Sequence, residues 1–458
     1  MKRDDLSAAA APDVLHALAQ RARATLDGVP GDVLHAARRC LVDWIGVAIG
    51  GIDEEPPRRL AEALGLAPGR LGASNAPAML DALLLGTCGH VLDYDDTDSI
   101  NLVHASASVV PALLATARRH EMTGRDLLLA LVAGYEVESR LGAQLGRPLT
   151  ARGWHVSGVI GPFGAAAAAM LATRESAERI AQAMAIAATG ASGLIAAFGT
   201  MSKSLQLGRT AAGGVLAADL ARRGFDGPTR VLDASAFSQP YVGNALAFPR
   251  AVSDFGERWA IAGNSFKPHA SCMITHAAID AAARLRGSLR QANAAWHDVS
   301  RIDCRVNVLV PQVAGIASPR SGLEGKFSVA YCVATALLDG RAGHDAFTNE
   351  AASRESIRTL LERIEIRTDE ALGEKQAEVV VALADGRRLV ERVEMARGHP
   401  ANPLSDAELG DKFIGLASAA IGGDVAAVLE ELWHFDTQPD AGRWLARRLD
   451  AVRSPRTH

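Results

Sequence analysis

Between residue 30 and about residue 225, apolar side chains recur with the 3.6-residue period of a helix, one segment after another. Val33–Ile49 keeps an apolar face, with Asp32 placed to cap its start and Gly50 and Gly51 to end it. Pro77–Leu92, Ser106–His120, Arg125–Leu145 and Ser204–Arg223 read the same way, and Gly224 closes the last. Leu127, Leu128, Leu131, Val132, Tyr135 and Val137 mark one buried stripe. Val156–Thr173 and Ala183–Ser202 are uncharged and approach membrane-spanning length, but their Ala, Gly, Ser and Thr content predicts buried helices.

Past residue 265 the period changes. Arg301–Pro311 alternates as a strand, Phe327–Leu338 returns to helix and stops at Gly340, and Arg363–Arg367 reads as a short strand. Glu378–Leu383 and Arg388–Glu394 form a hairpin around Asp385-Gly386. Ala277–Leu285 is helical, and helix resumes at Asp406 after Gly398-His399-Pro400-Ala401-Asn402-Pro403. The pattern predicts a mainly α protein: a large helical domain over 1–264, an inserted α+β domain over 265–399, and C-terminal helices over 400–458 that rejoin the first domain.

At 458 residues the chain is too long for one simple core. Aromatics make up only 5%, so alanine must let helix backbones approach closely to build so large an interior. A net charge of −4 argues against nucleic acid or an acidic membrane as the partner. Cys40, Cys88, Cys272, Cys304 and Cys332 are widely spaced and form no CxxC pair, which fits a reducing cytoplasm without disulfides or structural zinc. Met1-Lys2-Arg3 runs into Asp4-Asp5, and Ala8–Ala11 ends at Pro12, so no signal-peptide core is expected and the protein reads as soluble and cytoplasmic. Lysine is rare: Lys2, Lys203, Lys267, Lys326, Lys375 and Lys412 are the only six, which makes each worth placing.

The densest chemistry lies at Gly89-His90-Val91-Leu92-Asp93-Tyr94-Asp95-Asp96-Thr97-Asp98, followed by His104. Carboxylates this close resist ionising together, so the cluster needs compensation by solvent, a cation or acid/base partners. Counted from Asp93 an EF-hand fails, with Asp98 at the glycine position and His104 at the terminal glutamate. Asp95 and Asp96 in a helical context also raise the DDxxD magnesium site of terpenoid synthases, but Ser99 stands at its last aspartate. A solvated turn with Asp93 or Asp96 capping a helix end stays open.

Three other segments carry candidate groups. Gly153-Trp154-His155 puts a histidine at the mouth of a glycine-rich helix, where amides favour anions. The glycines that follow do not make GxGxxG after a strand, so a dinucleotide fold is unsupported. Lys203, in Gly199-Thr200-Met201-Ser202-Lys203-Ser204-Leu205 before Gly208-Arg209, has a compact ammonium suited to a carboxylate. Lys267 lies at the proposed domain boundary, where clefts form, in Phe266-Lys267-Pro268 running to Ser271-Cys272 and His276. Cys272 reads either as a thiol activated by Lys267 and His276 or as a small packing residue. A structural histidine and solvated lysines remain the plain alternatives for His155, Lys203 and Lys267.

Together these segments, with Gly325-Lys326-Phe327-Ser328 and Gly398-His399-Pro400-Ala401-Asn402-Pro403-Leu404, resemble the MmgE/PrpD family over nearly the whole chain and in the same order. The resemblance implies a helical domain with an α+β lid, a cleft between them, and a homodimer. The family includes 2-methylcitrate dehydratase, cis-aconitate decarboxylase and iminodisuccinate epimerase, so the resemblance implies a small di- or tricarboxylate substrate. It implies neither metal nor organic cofactor, and no nucleic-acid or membrane partner. Asp93, His104, His155, Lys203 and Lys267 are then the expected catalytic residues, with Thr97, Ser202, Cys272 and His276 binding substrate. Asp95, Asp96 and Asp98 are expected only to shape the turn.

The resemblance departs at two places. Cys272 stands where decarboxylase-like members carry histidine, and Ala105 follows His104 where many members carry proline. The expected mechanism has Lys203 and Lys267 neutralising substrate carboxylates and His104 and His155 exchanging protons, with Asp93 tuning one of them. Thr97 is expected to bond substrate or hold Asp93. The leading expectation is a hydro-lyase like 2-methylcitrate dehydratase. The alternatives are an isomerase, epimerase or decarboxylase of a related acid, a magnesium-dependent terpenoid-type transferase, and a non-catalytic binding protein.

Overall fold

The structure is a computed structural model that describes residues 13–233, 236–245, 248 and 250–454. The segment Met1–Pro12, read above for a signal peptide, lies outside the described residues. The fold is mainly α with one small sheet. Helices Gly31–Gly51, Ala78–Val91, Ala105–Ala117, Gly124–Ala151, Val156–Ala172 and Ser202–Arg222 build the first lobe. Asp32 does not cap the first of these: the helix starts at Gly31 behind Pro30, leaving Asp32 in the first turn, where its charge still favours the positive helix end. Gly124–Ala151 starts at a capping box, with the Thr123 hydroxyl accepting the Asp126 N–H and the Asp126 carboxylate accepting the Thr123 N–H.

Val156–Ala172 is buried along its whole length, as its composition predicts for a core helix. Ala183–Ser202 is not one helix. Helix ends at Ala188, and the chain loops past a 3-10 turn at Ile195–Ala197 before helix restarts at Ser202. Small residues set the helix spacing. Ala78–Val91 and Ser202–Arg222 touch so closely that a Cβ on Gly86 would stand 2.9 Å from Gly208 Cα.

The second lobe holds a four-stranded sheet of β1 (Val299–Val306), β2 (Ile364–Thr368), β3 (Ala377–Leu383) and β4 (Arg388–Val393), in the order β2-β1-β3-β4. β1 and β2 are parallel, the other pairs antiparallel, and the hairpin turns at Gly386 with φ 90°. β1 ends at Val306, short of the expected Pro311, because Val310 and Pro311 open the short helix Val310–Ala314. Helices His276–Gln291 and Val329–Asp339 share the sheet's apolar core, while Arg301–Asp303 and Arg367–Glu365 ion pairs occupy the outer face at 2.8 and 3.0 Å.

One apolar core runs from Leu15 to Phe266 and resumes over Leu404–Val452, while a second spans Ala270–Ala396. Helix Asp406–Ile421 lies along Gly31–Gly51, where a Cβ on Gly46 would meet Phe413 Cδ2 at 3.0 Å. By length and composition alone Asp406–Trp433 is apolar enough to cross a membrane, but Gly422, at φ 71°, interrupts it. The helix packing carries a stability prediction. Gly208→Ala would drive its methyl into the Leu83 carbonyl and should cost about 1–3 kcal/mol. Gly213→Ala, on the same helix but facing open space, should gain up to about 1 kcal/mol. Denaturant melts of both variants check this, and equal shifts would contradict the close approach.

Candidate active site

Helix Ala78–Val91 ends beside the acidic cluster, and the chain turns at Asp93 with a left-handed φ of 51°. Aspartate is among the few non-glycine residues that take up this conformation, still at a cost that its surroundings must offset. Here the surroundings are lysines. Lys326 donates to the Leu92 carbonyl at 2.7 Å, Lys267 to that of Asp93 at 3.0 Å, and Lys412 to that of Tyr94 at 2.7 Å. Three successive carbonyls thus each receive an ammonium from a different segment. Lys203 and Lys267 also donate to Asp93 Oδ1, at 2.6 and 3.1 Å. Paired backbone bonds between Thr97 and Ser265, at 2.9 and 3.0 Å, hold the boundary segment beside the turn.

The cluster is not a solvated turn: Asp93, Asp95, Asp96 and Asp98 are at most 2% exposed. Each carboxylate has its own compensation. Burial works against ionising Asp93, but the Lys203 and Lys267 ammoniums outweigh it and hold the carboxyl far below the usual range. Asp95 Oδ2 accepts from His90 Nδ1 at 2.9 Å and His104 Nδ1 at 3.0 Å, and these imidazoles likewise keep it ionised against burial. Asp96 accepts from Ser106 Oγ and Asn264 Nδ2 at 2.6 and 2.5 Å, and burial together with the Asp43 charge pushes its carboxyl up to about 7. Asp98 accepts from the Ile100 and Asn101 amides, closing the 98–103 turn. Asp95 and Asp96 face different partners, which is not the geometry of a shared magnesium site.

The partners of the two cavity histidines define which nitrogen is free. His104 Nδ1 also lies 3.1 Å from the Asp96 carbonyl, which can only accept, so Nδ1 carries the proton. His155 Nδ1 lies 2.8 Å from Gln206 Oε1, and Gln206 Nε2 donates to the Leu194 carbonyl, so the amide oxygen faces the ring and accepts. In the neutral rings, Nε2 of both therefore holds a lone pair, and neither has a hydrogen-bond partner among the described residues. Burial lowers both pKa values, with Lys203 adding to the effect at His155, while Asp95 offsets part of it at His104. His90, stacked 6.1 Å from His155, is pulled down to about 4, chiefly by burial. Neutral imidazoles next to buried cations are the consequence.

Both rings line a cavity of about 140 Å³, together with Thr97, Trp154, Cys272 and Lys375. Lys203 and Lys267, only 5% and 1% exposed, bond Asp93, and none of the three is in that wall. Several expectations change here. Asp95, not Asp93, orients His104, because Asp95 Oδ2 is the carboxylate oxygen within hydrogen-bond reach of its Nδ1. Thr97 Oγ1 donates to the Val103 carbonyl at 3.1 Å and does not hold Asp93. Ser202 is exposed on the first turn of its helix, since the turn that aims Lys203 inward rotates its neighbour about 100° away. His276 does not reach the cavity: it is fully buried at a helix start, with Nε2 3.2 Å from the Ser271 carbonyl. Cys272 does line the cavity, but burial, reinforced by Asp93, pushes its thiol up and keeps it protonated.

His90, Asp95 and His104 also converge closely enough to consider as ligands for one metal ion. The observed contacts of 2.9 and 3.0 Å are N–H···O hydrogen-bond lengths, and the proton that the Asp96 carbonyl places on His104 Nδ1 occupies the ring nitrogen that faces Asp95. The donor set fits a carboxylate shared by two imidazoles. His90, Asp95, Lys326 and Lys412 were not expected at the site. Lysine scarcity pointed to Lys412, and to Lys326 together with its place in the Gly325-Lys326-Phe327-Ser328 motif.

Residues 18–244 match the family model of the MmgE/PrpD N-terminal domain, and residues 269–434 that of the MmgE/PrpD C-terminal domain. Among curated relatives, a cis-aconitate decarboxylase-like protein of Aspergillus oryzae is 28% identical over 91% of this chain and 93% of its own. The cis-aconitate decarboxylases of Homo sapiens and Mus musculus are 29% and 27% identical, each over 87% of this chain and 86% and 85% of their own.

The charge arrangement predicts an asymmetric mutational response. Asp93→Asn leaves two buried ammoniums facing each other and should cost about 3–5 kcal/mol of stability. Adding Lys203→Met to that variant should recover part of the loss, as read from urea midpoints. An unchanged midpoint for Asp93→Asn would contradict the pairing.

Proposed function

The chain belongs to the MmgE/PrpD family, and from that premise we propose that it is a lyase acting beside a carboxylate of a small polycarboxylic acid. The observation that carries this reading is the pair of imidazoles presenting Nε2 lone pairs to one cavity, backed by the Lys203–Asp93–Lys267 cluster. Lys203, Lys267 and Lys326 against the ionised Asp93 and Asp95 leave net positive charge beside that wall. It favours an anionic substrate and the negative charge that develops at carbon next to a carboxylate.

The proton accounting separates two versions of the reaction. In dehydration, an imidazole Nε2 takes the proton from carbon beside a carboxylate, the C–O bond breaks, and the departing hydroxide receives a proton and leaves as water. No net proton is consumed. In decarboxylation, the C–C bond breaks, CO2 leaves, and the electron pair ends on a carbon that takes a proton, so the imidazole must enter protonated. A bound polyanion supplies that condition, because negative charge beside His104 and His155 raises their depressed pKa values. Net, one proton comes from solvent per turnover.

The relatives named cis-aconitate decarboxylase support the carboxy-lyase version on a cis-aconitate-like acid. Cys272, a protonated thiol where decarboxylase-like members carry histidine, favours a hydro-lyase on a 2-methylcitrate-like acid as the second reading. We extend the proposal to a homodimer, which the resemblance to the family implies. The two separate apolar cores support treating 265–399 as a lid on the helical domain.

The test is turnover of cis-aconitate and 2-methylcitrate by purified protein, following CO2 release and substrate loss. His155→Ala and Lys203→Met should each lower kcat/KM by roughly 100- to 10,000-fold on whichever acid is used. Near-native activity in both variants would sink the proposal.

A further inference from the structure

Lys375 is the one described lysine that makes no hydrogen bond to the Leu92–Asp95 turn or its carboxylates. It lies in the loop 369–376 between β2 and β3, in the cavity wall with His104, His155 and Cys272. That loop is well held. Asn307 Nδ2 donates to the Leu372 carbonyl at 2.6 Å, and Gln376 Oε1 accepts the Gly373 amide at 2.8 Å. Glu374 reaches across to Arg147, on helix Gly124–Ala151 of the other lobe, at 2.7 Å.

This last pair engages the carboxylate next to Lys375. Asp98, the other carboxylate whose charge Lys375 feels, accepts from Ile100 and Asn101. Lys375 has no hydrogen-bonded or ion-paired acceptor among the described residues, although it is half-buried. Burial lowers its pKa, with Glu374 offsetting only part. A half-buried ammonium without an acceptor, on the wall of a cavity that already holds two proton-accepting imidazoles, is placed to take an anion.

We propose that Lys375 binds the substrate carboxylate that is not adjacent to the reacting carbon, so that the cavity selects small polycarboxylates carrying that additional group. The cavity then draws on positive charge from both lobes: Lys203 and Lys267 bonded to Asp93, and Lys375 from the β2–β3 loop. Lys375 acts here in binding and selection, while proton transfer stays with the imidazoles. The inference rests on the lyase reading above, and the experiment separates the two.

Calorimetry with tricarballylate, a saturated tricarboxylate with no leaving group, measures binding without turnover. Glutarate and 2-methylsuccinate each lack one of its carboxylates. Lys375→Met should weaken tricarballylate by roughly 10- to 100-fold, the scale of one charge-assisted contact. Lys375→Arg should stay near wild type, and Lys375→Gln serves as a second neutral variant if methionine disturbs the loop. One of the two dicarboxylates, the one missing the carboxylate that Lys375 holds, should bind wild type and Lys375→Met equally. In turnover, the same variants should raise KM with kcat little changed. Equal tricarballylate affinity in wild type and both neutral variants, or equal losses for all three ligands, would overturn the role of Lys375 and leave the lyase reading standing. Failure of wild-type protein to bind any of the three acids, together with no turnover, would overturn the lyase reading and this inference with it.

Discussion

The left-handed turn at Asp93 is held by ammonium groups that converge on it from four places in the chain. Lys203 comes from a helix of the first lobe, Lys267 from the junction, Lys326 from the second lobe and Lys412 from the C-terminal helix. Burying each ion costs several kcal/mol, and only multiple well-aimed acceptors recover it. Lys412 has three, Asp43 Oδ1 and the carbonyls of Tyr94 and Lys267, while Lys267 and Lys326 have two each. Lys326 bonds only carbonyls, and burial brings its pKa down to about 8. The turn, the junction and both lobes are therefore held by one set of contacts.

The same charges determine the chemistry in front of them. Cations beside the wall, together with burial, keep His104 and His155 neutral, and Asp95 and Gln206 fix which nitrogen points a lone pair outward. An approaching polyanion reverses that electrostatic balance. The proton state of the imidazoles is thereby coupled to the binding of an anion beside them. Cys272 takes part as a neutral wall residue and does not serve as a thiolate.

Local signals in the chain carried most of the architecture. Helical periodicity, the Asp385-Gly386 hairpin and the change of pattern past residue 265 all follow from short-range chemistry, and the order of motifs identified the family. The errors arose where tertiary contacts decide. Nothing local shows that Asp95 serves two histidines, since His104 lies beyond a turn whose path depends on the Thr97–Ser265 contact. Ser202 failed on helix phase, one residue off the inward-facing Lys203. His276 failed because a helix start can face either the cleft or the core, and the second apolar core claims it. Lys375 sits in a loop without a motif, so only its scarcity marked it. Adjacent acidic residues looked like a solvated turn because the lysines that neutralise them are more than a hundred residues away in sequence.

Nitrogen-15 NMR of histidine-labelled protein, titrated with and without tricarballylate, tests this electrostatic account directly. Imidazoles with depressed pKa values stay neutral as pH falls through 6.5, the ordinary histidine value, and protonate only below it. His104 and His155 of the free protein are therefore expected as neutral Nδ1–H tautomers at pH 7, with midpoints below 6.5 that rise when the tricarboxylate binds. Nε2–H tautomers, or free-protein midpoints at or above 6.5, would contradict it.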